Sequence, residues 1–405
     1  MLFIEPQDEV VNERRITAER MKNLHPYVPG EQPQDREYIK LNANENPYPP
    51  SPQVIKAVKK ALTFPKKLSL YPDSESEELR EAIARMLNKT GGVLCRARLK
   101  GGRKDGSLAE VKPSQADKLP FKVTKDMIYA GNGSDEVLSF IFYAFFDNAR
   151  SLVLPEHTYS FYPVYAGYYG ISLDKVSLKA DQTLDIEKMV RDAKNLDCGI
   201  IFANPNAPTS LSLSRAQIRS MLLQVPEDKV FVVDEAYADF GKESCVSLLS
   251  EFKNLIVVRT FSKSLCAAGM RLGYLVSSPQ IVETVTTVKN SVNHFPIDFI
   301  SQQAGTAICD DAGYYAVCAK KILKERYDFI RFLRKNGWEV NQSETNFVFA
   351  KKSGFSGKSV YKAIKKEGVL VRHFDIPGIE DWIRITIGTE SQMLKLKRII
   401  KKLFA

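Results

Sequence analysis

The chain has 405 residues, 44% hydrophobic and 26% charged, with a formal net charge of +10. That is the length of a two-domain enzyme subunit and the composition of an ordinary folded protein, which excludes wholesale disorder and fibrous repeats. No apolar run reaches the ~18 residues of a membrane span, and MLFIEPQDEVVNERR carries acids where a secretory leader needs a basic start, so no membrane partner and a cytoplasmic location are expected.

Residues 1–50 form an arm rich in proline and asparagine, expected to wrap over the rest of the molecule and to contribute to a small domain. From 51 to about 295 short apolar runs alternate with amphipathic ones. Within that stretch, residues 91–122 lack periodicity and are Gly-rich and polar, which predicts an exposed, disordered surface insertion. The runs Ser151–Pro155, Cys198–Ala203, Val230–Asp234, Leu255–Thr260 and Gly273–Ser277 have the Val/Ile content and turn boundaries of strands buried on both faces. Helical patterns lie between them at Ser134–Phe146, Asp185–Ala193 and Ser214–Gln224, the last with Ser212 or Ser214 as N-cap. Strands alternating with helices predict an α/β fold with a mostly parallel central sheet and ligands at the carboxyl ends of its strands.

From 296 the style changes. A long charged helix, Tyr314–Asn336, precedes an apolar run at Asn346–Ala350, a helix at Gly357–Glu367, an extended Val369–Phe374 and a strand at Trp382–Ile387. This is a smaller α+β domain, 296–405, closed by an amphipathic helix from Met393 to Phe404. The charge excess is local. Residues 91–122 hold eight Lys/Arg against three Asp/Glu, and the last fifteen residues hold five Lys/Arg and no acid, which together make the whole +10. One block is a polar loop and the other a packed helix, so no nucleic-acid partner is expected. The six cysteines include no Cys-x-x-Cys pair and the four histidines no His-x-x-x-His, which leaves neither a disulfide framework nor a metal site in view.

Chemistry-bearing residues cluster where strands end. Lys263, in Thr260-Phe261-Ser262-Lys263-Ser264, is either a surface lysine on a turn or a desolvated amine of lowered pKa, nucleophilic toward a carbonyl. Thr260, Ser262 and Arg271 supply two hydroxyls and a guanidinium for a phosphate. Asp234 ends an apolar strand and needs a cationic partner or hydrogen bonds; it is equally readable as a helix cap. Tyr237 follows three residues later. Gly131-Asn132-Gly133-Ser134-Asp135 leads into a helix and exposes backbone N–H groups to an anion. Asn204-Pro205-Asn206-Ala207-Pro208-Thr209-Ser210 is a rigid polar turn. Arg372 and Arg384 lie on neighbouring extended segments, as an anion clamp or as solvated edge residues.

In this order the motifs resemble the class-II, fold-type-I pyridoxal-phosphate-dependent aminotransferases, and within them the histidinol-phosphate aminotransferases. LHPYVPG (24–30), LNANENPYPPSP (41–52), GNGSDEVL (131–138), HTYSFYPVYAGYYGI (157–171), NPNAPT (204–209), VVDEAYADF (232–240), TFSKS (260–264), GMRLGY (269–274) and RITIGT (384–389) carry the resemblance, over nearly the whole chain except 91–122. It implies a pyridoxal 5'-phosphate enzyme moving an amino group from L-histidinol phosphate to 2-oxoglutarate, giving imidazole-acetol phosphate and L-glutamate in histidine biosynthesis.

The resemblance also implies roles. Lys263 would hold the cofactor covalently and shuttle the proton, Asp234 would pair with the pyridinium and Tyr237 would bond the ring 3'-oxygen. Tyr159 would stack on the ring. Ser134, Asp135, Ser262 and Arg271 would cradle the phosphate, with Tyr71 reaching it from the partner of a homodimer with shared sites. Arg372 and Arg384 would clamp the substrate anion under Tyr27. The chain departs from the pattern in three places, one of them the insertion 91–122, where the family has a short link. The usual asparagine facing the 3'-oxygen is Ala207, with Asn206 or Asn204 as its expected substitute, and Ser210 replaces a glycine where φ > 0 is wanted. An aromatic or broad-specificity aminotransferase and a threonine-phosphate-type decarboxylase share these motifs. A non-catalytic pyridoxal-phosphate-binding regulator acting on DNA lacks its helix-turn-helix here.

Overall fold

The computed structural model describes residues 17–94, 97–99, 108–110, 118–147, 149 and 151–404. Seven strands build the central sheet: β1 (Ile128–Gly131), β2 (Leu152–Pro155), β3 (Leu173–Val176), β4 (Ile200–Ala203), β5 (Phe231–Asp234), β6 (Leu255–Thr260) and β7 (Gly273–Val276). Their spatial order is β1-β7-β6-β5-β4-β2-β3. Strand β7 alone runs against its neighbours β1 and β6, and the remaining pairs are parallel.

The sheet is buried on both faces because its side chains alternate between two apolar layers. Phe231 and Val233 enter one core with Leu255 and Val257, whereas Val232 joins Ile256 and Val258 in the other. Each fully buried aliphatic side chain contributes about 1.5–3 kcal/mol, so a one-residue register slip in β5 would forfeit both layers at once. Helix Arg215–Leu222 is capped by Ser214, whose side chain accepts from Gln217 N while Gln217 Oε1 accepts from the Ser214 backbone N–H, a capping box.

The second unit is a four-stranded antiparallel sheet of β8 (Trp338–Val340), β9 (Phe347–Lys352), β10 (Arg372–His373) and β11 (Ile383–Thr386), in the order β8-β9-β11-β10. Its core takes residues from the long helix Ala312–Lys335 and the terminal helix Glu390–Phe404. Three expectations are corrected in detail. Helix Phe299–Asp310 and the first turns of Ala312–Lys335 pack in the large core through Ala304, Ile308 and Tyr315, so the change of core falls inside the long helix and not at 296. The extended Val369–Phe374 divides between two sheets: Val369–Leu370 pairs in parallel with Ile39–Lys40 of the arm, and Arg372–His373 pairs with β11. Within the insertion, residues 97–99 and 108–110 form an antiparallel two-stranded ladder; the rest of that expectation mostly lies outside the described residues.

Candidate active site

Strands β4, β5 and β6 end side by side, with Ala203 in register with Asp234 and Asp234 with Val258. Alternation sends Asp234 to the same face as Val232. There its carboxylate is buried and accepts hydrogen bonds from Tyr162 Oη at 2.9 Å and from the Ala236 backbone N–H at 3.0 Å. Burial pushes its pKa up to about 6, against the pull of those two hydrogen bonds. No cation of the described residues bonds it, so the charged form is left waiting for one.

Lys263 stands in the turn after β6 and lines the same cavity of about 390 Å³ as Asp234 and Tyr237. Burial lowers the pKa of its amine to about 8, with the nearby Arg384 and Arg271 adding to the effect and Glu45 and Asp135 opposing it. The surface-lysine reading is therefore set aside. The arm does wrap, and it wraps over this lysine: Nζ donates to Ala43 O at 3.2 Å, while Asn46 Nδ2 donates to the Lys263 carbonyl at 2.8 Å.

One end of the cavity is built for an anion. Helix Gly133–Phe145 starts directly after β1. Gly133 has φ +79, and a Cβ there would meet the Arg271 guanidinium at 2.6 Å. Gly273, opening β7, is packed so closely that a Cβ would sit 2.3 Å from Ser134 N. Both glycines let the helix start, the strand and Arg271 converge. Asp135 accepts from Tyr159 Oη at 2.8 Å and from Arg271 Nη2 at 3.1 Å, and Ser134, Thr260 and Ser262 complete the wall.

A second cavity of about 210 Å³ shares Ala43, Tyr159, Ala207, Tyr237 and Lys263 with the first, and adds Tyr27, Arg372 and Arg384. Arg372 and Arg384 are direct cross-strand partners. Like charges placed opposite one another repel, which an anion set between them would relieve. Arg384 Nη2 donates to Asn42 O, Arg372 to Pro29 O and Val28 O, and Arg384 Nε is buried without a partner. Tyr27 stacks on Phe161 at 4.9 Å and lines this second cavity.

Three expected residues, Asn206, Asn204 and Tyr71, are not brought to the cavities of this chain. Asn206 is buried in its own turn: Nδ2 donates to His157 O and Thr209 Oγ1, and Oδ1 accepts from Thr158 Oγ1. Asn204 is bound to Leu213 through both ends of its amide. Neither takes the place of the amide missing at 207, and the methyl of Ala207 faces both cavities. Ser210 adopts φ +66, the left-handed conformation that its missing glycine would have eased. Tyr71 is 81% exposed and stacked on Phe295 at 4.5 Å, away from both cavities.

Three site residues escaped the sequence reading by the residues alone. Tyr162, which holds Asp234, was one aromatic among many in 157–171. Glu45, which lines the first cavity and pairs with Lys40 at 2.8 Å, and Asn44, beneath Tyr237, sit in an arm without helical or strand period. The density of polar side chains in 41–46 was the available signal.

Comparison with known proteins gives three results. The family model for aminotransferase class I and II matches residues 36–400. The histidinol-phosphate aminotransferase of Syntrophus aciditrophicus is 41% identical over 390 residues, 96% of this chain and 98% of its own; that of Clostridium acetobutylicum is 36% identical over 387 residues, again 96% and 98%. The crystal structure of histidinol-phosphate aminotransferase from Sinorhizobium meliloti with pyridoxal-5'-phosphate has a TM-score of 0.77 at 23% identity, covering 96% of this chain and 98% of that one, and carries the likeness of fold.

Proposed function

The chain belongs to the class I and II aminotransferases, and from that premise we propose that it moves the amino group of L-histidinol phosphate to 2-oxoglutarate, forming imidazole-acetol phosphate and L-glutamate. The observation that carries the reading is one cavity in which a neutral-prone amine, Lys263, and an unpaired buried carboxylate, Asp234, stand beside an anion cradle.

The residues fit pyridoxal 5'-phosphate. Asp234 has no cation of its own, and a protonated ring nitrogen is the partner its burial calls for. Ser134, Asp135, Ser262 and Arg271 would hold the phosphate at the helix start, where N–H groups and the guanidinium face an anion. Tyr159 would lie against the ring and Tyr237 would donate to its oxygen. Bound there, the cofactor supplies an aldehyde for the amine and an electron-withdrawing ring that acidifies the substrate Cα–H bond.

The chain's own groups do the rest. With its pKa at about 8, Lys263 spends a substantial fraction of its time neutral at physiological pH, so its amine can attack a carbonyl and, after the substrate's amino group has displaced it, would take and return a proton at Cα. A cation facing Asp234 would offset the burial that raises its pKa to about 6 and so favour its ionised form. Arg372 and Arg384 hold the phosphate of one substrate and the distal carboxylate of the other in turn. Tyr27 closes over them and keeps water out.

The homodimer is part of this reading. Leu68, Leu70 and Tyr71 are well exposed, and in a shared-site dimer Tyr71 would contribute to the neighbouring subunit's site. Among the described residues no helix is long and apolar enough to cross a membrane, and a cytoplasmic location accords with the biosynthetic reaction proposed. A substrate panel with 2-oxoglutarate as acceptor, read by glutamate formation, tests the assignment. Histidinol phosphate is expected to have the highest kcat/KM. A higher value for phenylalanine makes the enzyme an aromatic aminotransferase, and release of carbon dioxide makes it a decarboxylase.

A further inference from the structure

Position 207 turns a methyl toward the cavity beside Tyr237, and the two neighbouring asparagines are engaged within their turn. The Tyr237 hydroxyl is buried and is held by Asn44, a residue of the arm. Asn44 is itself 1% exposed and sits at φ +54. Its backbone N–H donates to Thr386 Oγ1 at 3.0 Å, and its carbonyl accepts from Asn346 Nδ2 at 2.9 Å. The Thr386 hydroxyl, with a lone pair taken by that N–H, donates its own proton to Asn44 Oδ1 at 3.1 Å.

These contacts decide which way every proton points. Because Oδ1 of Asn44 receives the Thr386 hydroxyl, its amide is locked with the NH₂ group toward Tyr237, and Nδ2 donates to Tyr237 Oη at 2.9 Å. A phenol has one proton and accepts through its lone pairs. With the Asn44 side occupied by a donor, the Tyr237 proton has no reason to turn that way and is left to the cavity.

We propose that Asn44 is a positioning residue: through the relay Thr386–Asn44–Tyr237 it aims the Tyr237 hydroxyl proton at the ring oxygen of the bound pyridoxal group, and so makes up for the amide that position 207 does not carry. The relay ties the cavity to β11 of the small sheet, since Thr386 is that strand's last residue. The proposal rests on the reading that pyridoxal phosphate binds here.

The test is spectroscopic and uses the holoenzyme. A hydroxyl donating to the ring oxygen stabilises it when negative, so weakening that donor raises the pH at which the bound chromophore loses its proton. Asn44→Gly removes the amide while tolerating the positive φ. It is expected to raise the pH midpoint of the visible band by about half to one unit, the size of effect a single hydrogen bond has on a titration, and to weaken cofactor affinity. Asn44→Asp keeps the shape but replaces the donor with an acceptor that draws the Tyr237 proton away, and is expected to raise the midpoint at least as far. In a Tyr237→Phe background Asn44→Gly should add nothing, whereas Ala207→Asn in the Asn44→Gly protein should bring the midpoint back down. An unchanged midpoint in folded, cofactor-loaded Asn44→Gly overturns the proposal, as does an equal shift when Tyr237 is already phenylalanine. If Asn44→Gly does not fold, Asn44→Asp decides by the same criterion. A wild-type protein with no visible band, or a band surviving in Lys263→Ala, overturns the cofactor reading instead.

Discussion

Strands β5 and β6 carry two ionic clusters that differ in one respect, and the difference separates scaffold from site. On the face of Leu255 and Val257, every charge has a partner. Arg259 donates to Glu235 at 2.9 Å, to Asp239 at 2.8 Å and to Gly92 O at 3.0 Å. Glu235 also receives Ser244 Oγ and the Cys245 N–H, both at 2.6 Å, and Asp239 receives Ser264 Oγ at 2.5 Å. Burial works against the Arg259 charge, but Asp239 and Glu235 outweigh it and its pKa is pushed up. On the other face Asp234, one residue before Glu235, is buried with a pKa raised to about 6, and Lys263, one residue before Ser264, has its pKa lowered to about 8. Neighbouring positions thus hold matched and unmatched charges. The matched set fixes the backbone on which the unmatched set waits for a ligand.

The comparison is most sharply tested at Lys263. Lys263→Ala is expected to abolish turnover and the visible cofactor band while leaving the fold intact; retained activity in a steady-state assay would sink the assignment. Arg259→Ala leaves two buried carboxylates unpaired and should cost about 3–5 kcal/mol of stability, measured as a fall in the urea midpoint. If it unfolds no more easily than wild type, the matched cluster is not the scaffold described.

Asp234→Asn should act with the opposite sign on the apoprotein. The carboxyl ionises near 3.8 in the unfolded chain and at about 6 in the fold, so the native state holds the proton more tightly, and Asp234 loses the fold stability as pH rises through that window. Asparagine removes the penalty, which above pH 6 is on the order of 3 kcal/mol at most. The apo variant is therefore expected to melt above wild type at pH 8, though not at pH 3.5, and to be nearly inactive. Thermal melts at the two pH values check both signs.

Arg372→Leu should raise KM for a phosphate-ester substrate about 10- to 100-fold, the loss of a charge-assisted hydrogen bond worth ~1.5–3 kcal/mol. It should also slightly stabilise the apoprotein by relieving repulsion from Arg384. The gentlest test is kinetic. Only the neutral amine attacks an aldehyde, so cofactor uptake by the apoprotein should quicken with pH and level off near the Lys263 value of about 8. A rise continuing toward an ordinary lysine value would place Lys263 in water.

How much of this was visible beforehand depended on whether a property is local. The strand ends at Asp234 and Thr260, the Ser214 cap, the glycine turn before Ser134 and the long helix were all legible, because period, caps and turns act within a few residues. The partners of Asp234 were not. Tyr162 is 72 positions away, and one tyrosine in an aromatic run carries no mark of its contact. Asn206 misled because an asparagine beside a binding turn looks available until its amide is found spent on Thr158, His157 and Thr209. Arg372 and Arg384 were placed on adjacent extended segments, yet only register makes them direct opposites.

By itself the sequence determined the α/β alternation, the strand-end residues and the resemblance that ordered them, since apolar periodicity and short motifs are written in consecutive residues. The tertiary structure alone decided which charges are matched: Asp234 and Glu235 are chemically near-equivalent neighbours, and what separates them is that a pleated strand turns them to opposite faces, one toward Arg259 and one toward an open cavity. It also decided that Asn44, more than 190 residues before Tyr237, stands against its hydroxyl, because chain folding sets such a contact and local pattern does not.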